Sequence, residues 1–338
     1  MAFGSRLPKT LRHRDLRSVL GTEFSSDGRV TARSEGDHVT FREVVGEKVL
    51  ARLPAWNATF SPRGPVVSVD GSHRITLWDG RTFRRMAEFA SEKRLGGPIV
   101  FSPDGRWLAL AEAPDAAMAP PPGGGRKPGA WSRERQVYRA IEIWDATSWR
   151  SHSIWRLDAP AELRFRLFAF SSDSRFLAAT CSDGAVRVAS VRSLASPTAR
   201  MRVRNGMEAY RVTWIPNTHM LCVGGFDGLV RIWNLRTDRI DILRPEAGNV
   251  WALAVSPNTR TLAIGTQDGA LELYRLATRQ KVAALPGHIT WVGELGFSPD
   301  SRCLISSGGD ANRIWRAAAN VTAETASGNA SPLAEGLP

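Results

Sequence analysis

One short motif recurs seven times along the 338 residues and limits what this chain can fold into: FSSDGR from Phe24, FSPRG from Phe60, FSPDGR from Phe101, FSSDSR from Phe170, WIPNTH from Trp214, VSPNTR from Val255 and FSPDSR from Phe297. The copies start 36, 41, 69, 44, 41 and 42 residues apart. Pro and Asp suit the early positions of a tight turn, and Gly at the next position tolerates positive φ, so each copy predicts the end of one strand, a turn and the start of another. Repetition at a fixed period in this range is the mark of an architecture built from stacked, similar units.

A second motif follows each turn at a near-constant distance. It reads DGSHRITLWD (70–79), RAIEIWD (139–145), DGAVRVAS (183–190), DGLVRIWN (227–234), DGALELYR (268–275) and GDANRIWR (309–316). Val230 and Ile232 alternate with Arg231 and Trp233, the period of a strand that packs differently on its two faces. Each unit therefore reads strand, turn, strand, turn, strand, with room for a fourth strand before the next unit.

The chain resembles the WD-repeat β-propeller family. The likeness rests on Trp78-Asp79 and Trp144-Asp145 at repeat ends, Gly287-His288 ahead of the last repeat, and the recurring Ser-Pro-Asp-Gly and Asp-Gly turns, over roughly residues 7 to 316. It implies an all-β, seven-bladed propeller of four-stranded antiparallel blades around a central channel. It also implies that a strand from Leu7–Arg14 closes the ring by completing blade 7, removing an edge that would otherwise recruit another chain. Some repeats depart from the pattern: Ala189 stands where Trp is usual, Tyr274-Arg275 ends blade 6, and DHVTFRE (37–43) lacks the ending.

Residues 1–316 are thus read as one propeller, monomeric because the ring is closed. The Pro- and Gly-rich stretch 114–135 accounts for the 69-residue interval and is expected to be a disordered loop of blade 3, and 317–338 a disordered tail. No run of 18 apolar residues or signal-like segment is present, which predicts a cytoplasmic protein without a membrane partner. Cys181, Cys222 and Cys303 fall in apolar strands with neither CxxC spacing nor a nearby His pair, so they are read as buried free thiols.

The resemblance further implies that His288, Ser306 or Ser307, Asp310 and Trp315 form the family's structural hydrogen-bond network, rather than a hydrolytic triad. Asp310 precedes Trp315 by five residues where Asp227 precedes Trp233 by six, and the shorter spacing predicts a distorted network. Among the other histidines and the carboxylates, no spacing for a metal, phosphate or acid–base site recurs, so no catalytic residue or cofactor is expected.

Binding remains. The family's interaction surface is the ring face reached by the starts of the innermost strands and the turns before the third strands. On this chain that implies Trp56, Arg166, Tyr210 and Trp251, with Trp291 two residues ahead of the equivalent position in blade 7, and Phe226 and Gln267 in the turns. Trp, Tyr and Arg are the residue types that carry interface energy, although rings at these places also suit packing between blades. Gly97 and Gly293 leave blades 3 and 7 without a side chain at the matching position, so contact should be lopsided. The expectation is a non-catalytic scaffold that binds a peptide or partner domain on one face. A net charge of +12 raises the alternative of nucleic acid held through phosphates, but the cations are spread over every blade. A lactonase-type propeller enzyme is the other alternative, requiring acidic and basic groups that converge on one mouth.

Overall fold

In a computed structural model the chain is described over residues 9–12, 22–35, 37–91, 93–112, 138–157, 163–194, 199–202, 209–246 and 248–317. The expected loop 114–135 and all but the first residue of the expected tail lie outside these. Seven antiparallel sheets of four strands form the blades of the predicted propeller, lying in blades 1 to 6 within 22–53, 57–90, 95–156, 165–202, 209–243 and 250–284. Blade 7 takes three strands from 292–316 and its fourth, outermost strand from Lys9–Arg12, paired antiparallel with Ala311–Arg316 so that Lys9 faces Ile314 and Arg12 faces Ala311. The N-terminal closure read from the sequence is therefore the closure found.

The recurring motif has a local cause. In FSPDGR-type turns the serine hydroxyl donates to the Asp or Asn two residues on, as from Ser102 to Asp104 at 2.6 Å and from Ser256 to Asn258 at 2.7 Å. The same oxygen accepts the backbone N–H that restarts the ladder, that of Trp107 at 2.8 Å and of Thr261 at 2.9 Å. One hydroxyl thus closes the turn on both sides. The fifth motif residue is left-handed in six blades, at Gly28, Gly64, Gly105, Ser174, Thr259 and Ser301, whereas blade 5 turns one residue earlier at Asn217.

The aromatic that ends the third strand in five blades packs against the preceding blade. Trp78 packs against the apolar cluster between blades 1 and 2, and Trp144, Trp233, Tyr274 and Trp315 belong to those between 2 and 3, 4 and 5, 5 and 6, and 6 and 7. Blade 4 offers only Ala189 there, and Trp155, 1% exposed and 5.1 Å from the Phe165 ring, fills the interface with blade 3. The core is thus a set of inter-blade layers, each burying the face that a lone sheet would expose. Cys181 and Cys222 lie inside it, their thiols pushed up to about 12 by burial, and Cys303 is partly covered.

Candidate functional site at the inner rim

The first residues of the innermost strands gather the predicted aromatics at one end of the ring. Phe226 and Tyr210 pack at 4.8 Å between ring centroids, Tyr210 and Trp251 at 6.2 Å, and Trp251 and Trp291 at 5.7 Å, giving one continuous aromatic row over blades 5 to 7. Tyr210 and Phe226, 8% and 7% exposed, form its buried side together with Leu167, while Arg166, 5% exposed, is buried on the innermost strand of blade 4. Trp251 and Trp291 are partly exposed and Gln267 is exposed, its Oε1 accepting a hydrogen bond from the Asn249 amide at 2.8 Å. Trp56 stands apart on blade 2, 46% exposed, with its ring over Gly71 and its edge toward His73. The cleft beside Trp56, bordered by Asn57, Gly96 and Gly97, holds about 20 Å³, room for a water rather than a ligand.

The two glycines expected to leave bare positions do not. A Cβ on Gly97 would lie 2.2 Å from the Tyr138 ring, and one on Gly293 would lie 2.6 Å from Trp291, so the first position is covered by a distant ring and the second by the indole two residues before it. Tyr138 reaches Gly97 because its backbone pairs with Phe165 of blade 4, each N–H donating to the other's carbonyl at 2.7 and 2.9 Å. Its position just after the insertion hides it from a motif-based reading.

Sequence reasoning also missed an ion pair across the channel. Arg211, on the innermost strand of blade 5, donates from Nε to the Trp251 carbonyl of blade 6 at 2.9 Å, and from Nη2 to both the Gly293 carbonyl and Glu294 Oε1 of blade 7, the latter at 2.6 Å. Burial opposes its charge, but Glu294, with Tyr210 and Tyr138, offsets that and holds the guanidinium pKa above its ordinary value. The available signal was a charge in each of two innermost strands, AYRVTW and VGELGF, where apolar residues dominate.

The structural network of the last repeat is complete. His288 Nδ1 lies 2.8 Å from Asp310, its Nε2 lies 2.8 Å from Ser306 Oγ, and Trp315 Nε1 donates to the same Ser306 oxygen at 2.8 Å. The predicted distortion is absent because the turn accommodates the missing residue: Gly308 passes so close that a Cβ would lie 2.5 Å from His288 Nδ1. Burial lowers the His288 pKa, and Ser306 is fully enclosed, so the three groups tie strands together and face no open space. Among the described residues no group of three or more His, Cys, Asp or Glu is placed to hold a metal ion, and no helix is long and apolar enough to cross a membrane.

Comparison with known proteins agrees with this architecture. The family model "WD domain, G-beta repeat" matches residues 147–190, 205–234 and 279–316. The protein described as "Protein LST8 homolog" from Drosophila melanogaster is 25% identical over 189 residues, an alignment covering 53% of this chain and 59% of that protein. The chain thus spans somewhat under two thirds of the length of the relative it matches. Matched repeats, seven blades with the recurring turn and a closed ring together make the chain a seven-bladed propeller similar to the WD-repeat β-propellers.

Proposed function

We propose that the protein is a non-catalytic interaction scaffold that seats a peptide or partner domain on the aromatic rim, with Trp251 and Trp291 as anchors and Trp56 and Gln267 as flanking contacts. The observation that carries this reading is the aromatic row itself. Its inner members are packed, so the outer indoles are held in place and lose little freedom on binding, the condition under which aromatic anchors contribute most. Trp251 Nε1 supports it further, being shielded from water with no hydrogen-bond acceptor among the described residues. Such a donor is costly to leave unpaired and gains from an acceptor brought by a partner that shifts the ring. Likeness to the WD-repeat propellers fits the same reading.

The test is affinity capture from the native cell, followed by binding measurements on the captured partner with Trp251→Ala, Trp291→Ala and Trp78→Ala. The indole variants should keep near-normal melting and weaken binding by roughly thirtyfold, the equivalent of about 2 kcal/mol. Trp78, whose Nε1 donates to Ser68 Oγ at 2.8 Å, should instead lose stability when cut back. If the indole variants melt as early as Trp78→Ala, or bind as the parent does, the rim is packing and the scaffold must bind elsewhere.

A further inference from the structure

The opposite end of the ring, where the recurring turns lie, has a distinct charge pattern. In blades 1, 3, 4, 5, 6 and 7, the N–H just past the third strand or in its last turn donates to the carbonyl of the residue that follows the turn, at 2.7–2.9 Å. That residue is therefore held at one equivalent place six times. It is basic each time: Arg29, Arg106, Arg175, His219, Arg260 and Arg302. The five arginines are exposed.

Contacts between turns make these positions a single rim. The Asp104 N–H donates to Ser174 Oγ at 3.0 Å, that of Asn217 to Ser172 Oγ at 2.8 Å and that of Asn258 to Ser301 Oγ at 3.1 Å, while a Cβ on Gly28 would lie 3.2 Å from Pro299. Blade 2 adds Arg63, whose Nε donates to the Asp104 carbonyl at 2.9 Å.

At the aromatic end three largely covered guanidinia are committed, Arg187 to Asp183 and Arg313 to Asp310, both at 2.8 Å, and Arg211 to Glu294 at 2.6 Å, while the exposed cations there are not set at one repeated place. On the turn rim Arg29 and Arg106 have carboxylates only at 4.0 and 3.9 Å, and Arg175, Arg260 and Arg302 form no ion pair among the described residues. The rim aspartates are engaged otherwise, as Asp300 is with the Ser298 hydroxyl at 2.6 Å and the Arg302 N–H at 3.0 Å.

We infer that this turn rim is a second docking surface, independent of the aromatic one, for an acidic segment of a partner protein whose Asp and Glu side chains pair with the uncommitted guanidinia. Arginine forks match carboxylates in geometry, and exposed cations with no ion pair or only a long one, arranged along a rim, attract an anionic chain. The pattern favours a peptide over nucleic acid. Asp27, Asp104, Asp173 and Asp300 each lie two residues before a rim arginine and accept its backbone N–H, so a fixed negative charge accompanies the positive one in each of these turns. A phosphate chain carries a charge at about every 3.4 Å of each strand and would be pressed against those carboxylates. A peptide can set its few carboxylates on the arginines and neutral residues opposite the aspartates.

The test uses the full chain and a fluorescein-labelled twelve-residue peptide of alternating Glu and Ser, read by anisotropy at low and near-physiological salt. The triple variant Arg29→Glu, Arg260→Glu, Arg302→Glu alters one arc over blades 6, 7 and 1. A control of equal charge change, Arg52→Glu, Arg94→Glu, Arg244→Glu, lies at the other end of the strands. The parent and control should bind alike, and the rim variant at least about tenfold more weakly with unchanged melting. No binding by the parent, equal losses in both variants, or tighter binding of a labelled dT12 oligonucleotide than of the peptide would each overturn the inference. Binding of the aromatic-rim partner is read separately, so either surface can fail alone.

Discussion

Glu23 shows how one side chain sets a pH response. On the short first strand of blade 1, it accepts hydrogen bonds from the Phe60 N–H and from Thr59 of blade 2, but burial dominates and pushes its pKa from 4.5 up to about 7. A raised carboxyl pKa means the folded state holds the proton more tightly. Its stabilisation is complete below pH 4.5 and is lost as pH rises through about 7. The loss is at most about 3 kcal/mol. Glu23→Gln keeps an acceptor for Phe60 without titrating, so urea unfolding of this variant should show a flatter stability profile than the parent between pH 4.5 and 7. A parallel decline in both proteins would show that another group is responsible. Such a residue is not legible in the sequence, because its environment is built by strands 37 residues away. Ser102 and Asp104 are legible, because their partners lie within five residues and any chain with that motif forms the same turn.

At the scale of elements, the blades were read from the chain almost whole, including the strand lent to blade 7. Turn chemistry and alternation are local, and they recur often enough for one weak copy to be corrected by the others. The rim was read less completely. Position along a strand identified Tyr210, Phe226 and Trp251, but which rings are covered depends on how adjacent blades overlap, and Tyr138 covers Gly97 from 41 residues away, a contact no local motif announces. Deleting residues 1–14 removes the partner of Ala311–Arg316 and leaves an open edge. Melting should fall by at least about 5 °C, with concentration-dependent association through the bare edge detectable by light scattering. A truncated protein that melts like the parent and remains monomeric would mean that the closing strand adds nothing.

Across the whole molecule, Arg211 and Glu294 link blades 5 and 7 past an intervening blade, 83 residues apart in sequence. Removing one partner leaves the other, largely covered charge without its counterion, so Glu294→Leu should cost roughly 1–3 kcal/mol, and Arg211→Met in the same background should recover much of it. A double-mutant cycle in urea measures this, and additive losses would show that the two groups do not act as a pair. The ring is closed by a different kind of bond. The strands Lys9–Arg12 and Ala311–Arg316 are antiparallel, with Lys9 opposite Ile314, so the chain enters and leaves the clasp at the same end. A pull applied through both ends of the chain therefore loads the four rungs one after another, as in peeling, rather than all together in shear. A tether anchored at both ends would open the propeller at this seam first, so in a pulling experiment the earliest extension should be release of the N-terminal strand, with blades 1 to 6 still folded.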